Sequence, residues 1–306
     1  MGGRLAASEM EDDPRATETK YHDALFSDLM SEVKGNPPGA RFSHDLRERL
    51  EKMPPQERRA LVARTRDGCP PLLLAARRGN VEATEYLIYV CNADLEQRGL
   101  YEEAEDRSKH SVTALWSAAV AGRVDTLKVL LGAGADVDAP SDTGSTPIRS
   151  ACFMTHTDVV SLLIKHGADL QRANHNGGTC LINAVQSSRL CTMLLDAGAL
   201  PNVQDAQGKT ALHYAAQEHR LDTARLLLQR GADPTVRSVA GDDALMVACI
   251  KGAAHIMKLV MARGRYGRSR VADAYELLGA TQLDEFDDVA SALQAWRHAT
   301  RAWLGE

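Results

Sequence analysis

Aromatic residues make up only 5% of this 306-residue chain, and no stretch approaches 18 consecutive apolar residues. The first shortage fits an interior packed through Ala and Leu; the second excludes a membrane-spanning helix. The N-terminus runs Met1-Gly2-Gly3-Arg4-Leu5 into Glu9, Glu11, Asp12 and Asp13, without the apolar core of a secretory signal, so a cytoplasmic and/or nuclear protein with no membrane partner is expected. Positive charge is in short supply as well. Lys and Arg total 36 against 41 Asp and Glu, a net charge of -5 that argues against nucleic acid as a partner. Six cysteines, Cys69, Cys91, Cys152, Cys180, Cys191 and Cys249, are scattered without a Cys-x-x-Cys pair, so buried thiols are expected and no metal. A Walker-type phosphate loop, a nucleophile elbow, a His-Glu-x-x-His pair and a dinucleotide fingerprint are all missing. No cofactor and no catalysis are therefore expected.

What the chain does have is recurrence. Thr113-Ala114-Leu115-Trp116-Ser117-Ala118-Ala119 returns at Thr146, Thr179, Thr210 and, more degenerate, Asp243, with spacings of 33, 33, 31 and 33. A further copy, Pro70 to Ala76, stands 43 residues before the Thr113 segment, so about ten residues are inserted between them. Within one unit, Thr113 can cap a first helix whose face is Leu115, Ala118 and Ala119, and Gly122 ends it. Val124, Leu127, Leu130 and Leu131 carry a second helix, which Gly134 closes, and the same exit recurs at Gly167, Gly198 and Gly231. One such pair cannot bury its own core, whereas stacked pairs can. The period and its start and end motifs resemble the ankyrin repeat. The fold class expected is all-α, a solenoid of about six to seven ankyrin repeats closed by a C-terminal helical pair.

Composition divides the rest. Residues 1–18 are polar and are expected to be a disordered tail. Residues 19–64, with Tyr21, Leu25, Leu29 and Val33 and then Phe42, Leu46, Leu50, Leu61 and Val62, read as a divergent helical cap or first repeat. The array should occupy 65–264 with an acidic insertion at 96–110, and 265–306 should form a helical, TPR-like segment. His213, in Thr-Ala-Leu-His, has no partner acid or metal spacing and is expected to tie neighbouring turns together. Arg149 occupies the same repeat position, where an inner-helix cation needs a counter-ion: a ligand anion, Asp142 or Asp169.

Thr113 to Trp116, Ser145 to Phe153, Asn176 to Leu181, Tyr275-Glu276-Leu277-Leu278-Gly279-Ala280 and Ala292 to Arg297 together resemble the Fem (feminization) family, over roughly residues 60–300. Its members are ankyrin-repeat substrate receptors of cullin-RING ubiquitin ligases. The resemblance implies a non-catalytic protein-binding module that captures C-terminal degron tails, arginine-containing ones among them, on its concave face, and elongin and cullin partners if the chain belongs to a longer receptor. Carried over by position, it implies a peptide site of Glu105, Trp116, Ser145, Arg149, Phe153 and Met154, with Glu102, Glu103 and Asp106 as further acidic-loop contacts. Trp116 and Phe153 would offer flat walls, Glu105 would meet a guanidinium, and Arg149 with Ser145 would hold a terminal carboxylate. Met154 departs from the family, whose arginine-reading members carry Asp there; the loss of one carboxylate is worth about 1–3 kcal/mol and leaves the preferred terminal residue open. A plain ankyrin scaffold without a ligase is the alternative.

Overall fold

The computed structural model describes residues 14–35, 41–102 and 109–263. Within them six helix pairs repeat one local design, so the fold is of the all-α repeat class, with one short two-stranded hairpin among the described residues. Each pair starts where a Thr or Asp side chain, or a proline, begins the inner helix. Thr113 Oγ1 accepts from the Trp116 amide at 3.3 Å, Thr146 Oγ1 from Arg149 at 3.4 Å, and Asp243 Oδ1 from Met246 at 3.0 Å. Such a cap satisfies one of the donors that a helix start leaves without a partner. Pro71 and Pro147 sit in the first turn, where the missing N–H costs nothing.

The chain divides between Ala135 and Asp136 into two units. In the first, α1 (Pro14–Gly35) packs on α2 (His44–Lys52), α3 (Pro55–Val62) and α4 (Pro71–Arg78). Leu25, Leu29 and Val33 of α1 are fully buried, whereas Tyr21 of the same expected stripe is exposed. Helix α1 begins at Pro14, inside the segment expected as a disordered tail, because proline presets the helical φ. Residues 1–13 of that tail lie outside the described residues. Helix α4 pairs with α5 (Val81–Tyr89), and α6 (Ala114–Val120) with α7 (Val124–Gly132); α4 stacks on α6 and α5 on α7. Between these pairs the insertion forms an antiparallel hairpin, β1 (Gly99–Glu102) with β2 (Lys109–Val112), Tyr101 facing His110 and Glu102 facing Lys109.

In the second unit the inner helices are α8 (Pro147–Phe153), α10 (Cys180–Asn183), α12 (Ala211–Gln217) and α14 (Ala244–Ile250). Their outer partners are α9 (Thr157–Lys165), α11 (Ser188–Asp196), α13 (Leu221–Gln229) and α15 (Ala254–Arg263). The turns between repeats are zipped by one backbone bond each: His175 N to Thr143 O, Ala206 N to Asn176 O and Val239 N to Gln207 O, at 2.8–3.1 Å. His213 fulfils its expected role. Thr210 N donates to its Nδ1 at 3.1 Å, which leaves the proton on Nε2, 3.2 Å from the Asp242 carbonyl of the next turn. The C-terminal helices expected beyond residue 264 lie outside the described residues.

Burial pushes the His213 imidazole below its ordinary pKa, which outweighs the Asp242 carbonyl acting the other way. The folded state thus resists protonation more than the unfolded chain does. Stability should be fully present above the unfolded value of about 6.5 and should fall as pH drops through it towards the lower folded value. Urea midpoints at pH 8 and pH 5.5 check this: His213→Gln is expected to flatten the difference, and an unchanged pH dependence in that variant would assign it elsewhere.

Candidate functional site

Helix α10 is the irregular member. It spans four residues where α8, α12 and α14 span seven. Thr146 and Thr210 each stand eleven residues before their outer helix, but Thr179 stands only nine before α11 at Ser188, which is where the spacing of 31 arises. Elsewhere the turn between helices holds a residue of positive φ, Gly122, Thr155, His219 or Gly252; between Ala184 and Ser187 there is none. With that turn deleted, Ser187 directly caps α11, its Oγ accepting from Leu190 N at 3.3 Å, and the chain leaves the helix early at Val185 and Gln186.

The shortened helix forms part of a groove of about 500 Å3 in the second unit. Arg149 and Phe153 of α8 line one end, Asn183 and Gln186 the middle, and Tyr214 and Glu218 of the α12 segment the other end, with Asp205 and Gln207 on the adjoining turn. Phe153 is 69% exposed and offers a free aromatic face. Arg149 is partly buried and bound three ways: Nε donates to Gly178 O at 3.0 Å, Nη1 to Ser145 Oγ at 3.0 Å and Nη2 to Asn183 Oδ1 at 3.5 Å. All three acceptors are neutral. The carboxylate expected from Asp142 or Asp169 is absent from this set, since the turn carbonyl of Gly178 reaches the guanidinium first. Burial holds the Arg149 pKa below its ordinary value, with the nearby Cys180 and Cys152 thiols acting the other way. A guanidinium has five N–H donors, so two remain for a ligand.

At the far end Tyr214 donates its hydroxyl to Asp205 Oδ2 at 2.6 Å, while Asp205 Oδ1 accepts from the Gln207 and Lys209 amides at 2.9 Å. Burial, together with that carboxylate, pushes the Tyr214 phenol up to about 12, so it stays a neutral donor. Glu218 is exposed and accepts from Gln217 Nε2 at 3.2 Å. Beneath the groove, Cys180 gives its thiol to Leu170 O and Cys191 to Ala184 O, both at 3.3 Å. Burial raises the Cys191 thiol to about 12, which keeps it protonated and unreactive.

The expected site residues fare unequally. Arg149 and Phe153 share the groove, and Ser145, itself buried, orients Arg149. Met154 is exposed at the end of α8 and does not line the groove. Trp116 is only 4% exposed and lies in the first unit under Tyr101, ring centroids 5.4 Å apart at 74°. The inserted hairpin covers it, and Arg77 caps the stack 4.4 Å above the Tyr101 ring while donating to Glu102 O. Glu102 is exposed at the end of β1; Glu103, Glu105 and Asp106 lie outside the described residues. Asn183, Gln186, Tyr214 and Glu218 were not singled out by sequence, although the spacing of 31 marks the altered repeat.

A family model described as Ankyrin repeats (3 copies) matches residues 50–141, 72–174, 115–205 and 171–238. Among curated proteins, the chain is 32% identical over 284 residues to "Protein fem-1 homolog A-like" of Mus musculus and 33% identical to "Protein fem-1 homolog A" of Rattus norvegicus. Each comparison covers 80% of this chain and 43% of the relative, so the chain spans less than half the length of these relatives. The "Neurogenic locus notch homolog protein 2" of Homo sapiens is 30% identical over 183 residues, 53% of this chain and 7% of that protein. Repeated helix pairs, their caps and these matches agree: the chain belongs to the ankyrin-repeat family and is similar over most of its length to fem-1 homologues.

Proposed function

We propose that this chain is a non-catalytic protein-binding module that captures the C-terminal tails of other proteins in the α8–α12 groove, as the substrate-recognition part of a cullin-RING ubiquitin ligase. Arg149 carries this reading. It is a partly buried cation held by three neutral oxygens, with N–H donors to spare, at the edge of an open groove. A carboxylate supplies the countercharge that the protein withholds, and charge-assisted hydrogen bonds are about twice as strong as neutral ones. Phe153 gives the residue before the carboxylate an aromatic surface. The likeness to fem-1 homologues supports the ligase assignment, and elongin and cullin engagement is proposed if the chain belongs to a longer receptor. A plain interaction scaffold is the second reading, favoured by the likeness to the notch homologue.

The test is a tail-peptide array read by fluorescence anisotropy. Arg149→Ala is expected to weaken selected ligands at least tenfold, about 1.4 kcal/mol, and Arg149→Lys to restore part of that by keeping the charge without the fork. Tail affinity unchanged in Arg149→Ala would favour the scaffold.

A further inference from the structure

The groove is electrostatically polar along its length. Among the described residues its one lining cation is Arg149, on α8, and its lining carboxylates, Asp205 and Glu218, stand at the α12 end. Asp205 is committed to Tyr214 and to the amides of its own turn. Glu218 is exposed and accepts a hydrogen bond from the neutral Gln217 amide, so it is the acid able to receive a ligand charge. A neighbouring cation, Lys209, donates to Gln217 Oε1 at 3.3 Å, lies over the Tyr214 ring at 5.6 Å and lines an adjoining cleft with Ala206 and Gln207. It therefore flanks the acidic end without filling it.

We propose that Glu218, with the field of Asp205 behind it, reads a basic residue of the bound tail about six positions upstream of the terminal carboxylate; this rests on the tail-binding reading above. The spacing follows from geometry. Helices α8 and α12 are two inner helices apart through α10, and packed helices lie about 8–10 Å apart, which gives about 16–20 Å. An extended chain advances about 3.3 Å per residue, so that span holds about five to six residues. The segment between crosses the amides of Asn183 and Gln186, which can donate to and accept from a peptide backbone without selecting side chains. The substrate class is thus a tail that is anionic at its end and cationic about six residues earlier, a polarity opposite to that of the groove.

The experiment uses the full chain and twelve-residue peptides of Gly and Ser with a free carboxylate, each with one Lys placed three to nine residues before the end, alongside Glu-substituted and amidated counterparts. Anisotropy titration at low salt is expected to show one Lys position near the sixth that binds about fivefold more tightly than its neighbours. Glu218→Lys should reverse the preference so that Glu at that position binds best. Glu218 is exposed, so folding is not at stake, and circular dichroism checks that. If free-carboxylate peptides bind but no Lys position stands out, or if Glu218→Lys leaves the position profile unchanged, this inference is overturned while the tail-binding reading stands. If amidated peptides bind as well as free ones, both fall.

Discussion

Leu163→Ala is expected to lower the free energy of unfolding by about 2–5 kcal/mol, the largest loss among the substitutions considered. Leu163 is completely buried on α9, the outer helix behind the groove's cationic end. Truncation removes three carbons from water-free packing and leaves a cavity that α8 and α11 cannot close without abandoning their own neighbours. Because repeats exchange stability with adjacent repeats, the loss should appear as a lower urea midpoint for the whole second unit rather than as local fraying. Leu200→Ala is the control: Leu200 is 57% exposed and its removal should stay within about 0.5 kcal/mol. Equal effects from the two variants would contradict the assigned core.

Gly177→Ala ranks second. Gly177 adopts φ +74°, a conformation that costs a residue with a Cβ about 1–3 kcal/mol. A Cβ there would also meet the Ala206 amide nitrogen at 2.7 Å and the Asp205 carbonyl carbon at 2.9 Å. These are backbone atoms of the next turn, and the Ala206 amide is bonded to Asn176 O at 2.9 Å, so relief means separating two zipped turns. Asp205, Ala206 and Asn176 all line the groove, so the variant should lose tail affinity together with stability. Thermal unfolding and peptide titration on the same sample check this. A destabilised protein with unchanged affinity would detach the turns from the binding site.

Much of this architecture is legible in the sequence because its signals are local. Thr113, Thr146 and Asp243 cap helices in the structure as their spacing implies, and His213 bridges turns because its hydrogen bonds reach only to the next repeat. The hairpin at Gly99 to Val112 was not legible: its pairing is fixed by Tyr101 settling on Trp116, a contact across an insertion. The same contact buries the tryptophan that family likeness implied as an open wall. Arg149 was legible as an anomaly, yet its neutral partners come from Gly178 and Asn183, about thirty residues away, and periodicity carries no such information. The groove traces to two missing residues after Thr179, a defect visible only as a spacing of 31.

The central claim is that Arg149 awaits a terminal carboxylate. Isothermal titration of one tail peptide, synthesised as the free acid and as the C-terminal amide, tests it most directly. The account predicts at least tenfold weaker binding of the amide, about 1.4 kcal/mol, with the difference abolished in Arg149→Ala. Equal affinity of acid and amide for the wild-type chain would contradict it.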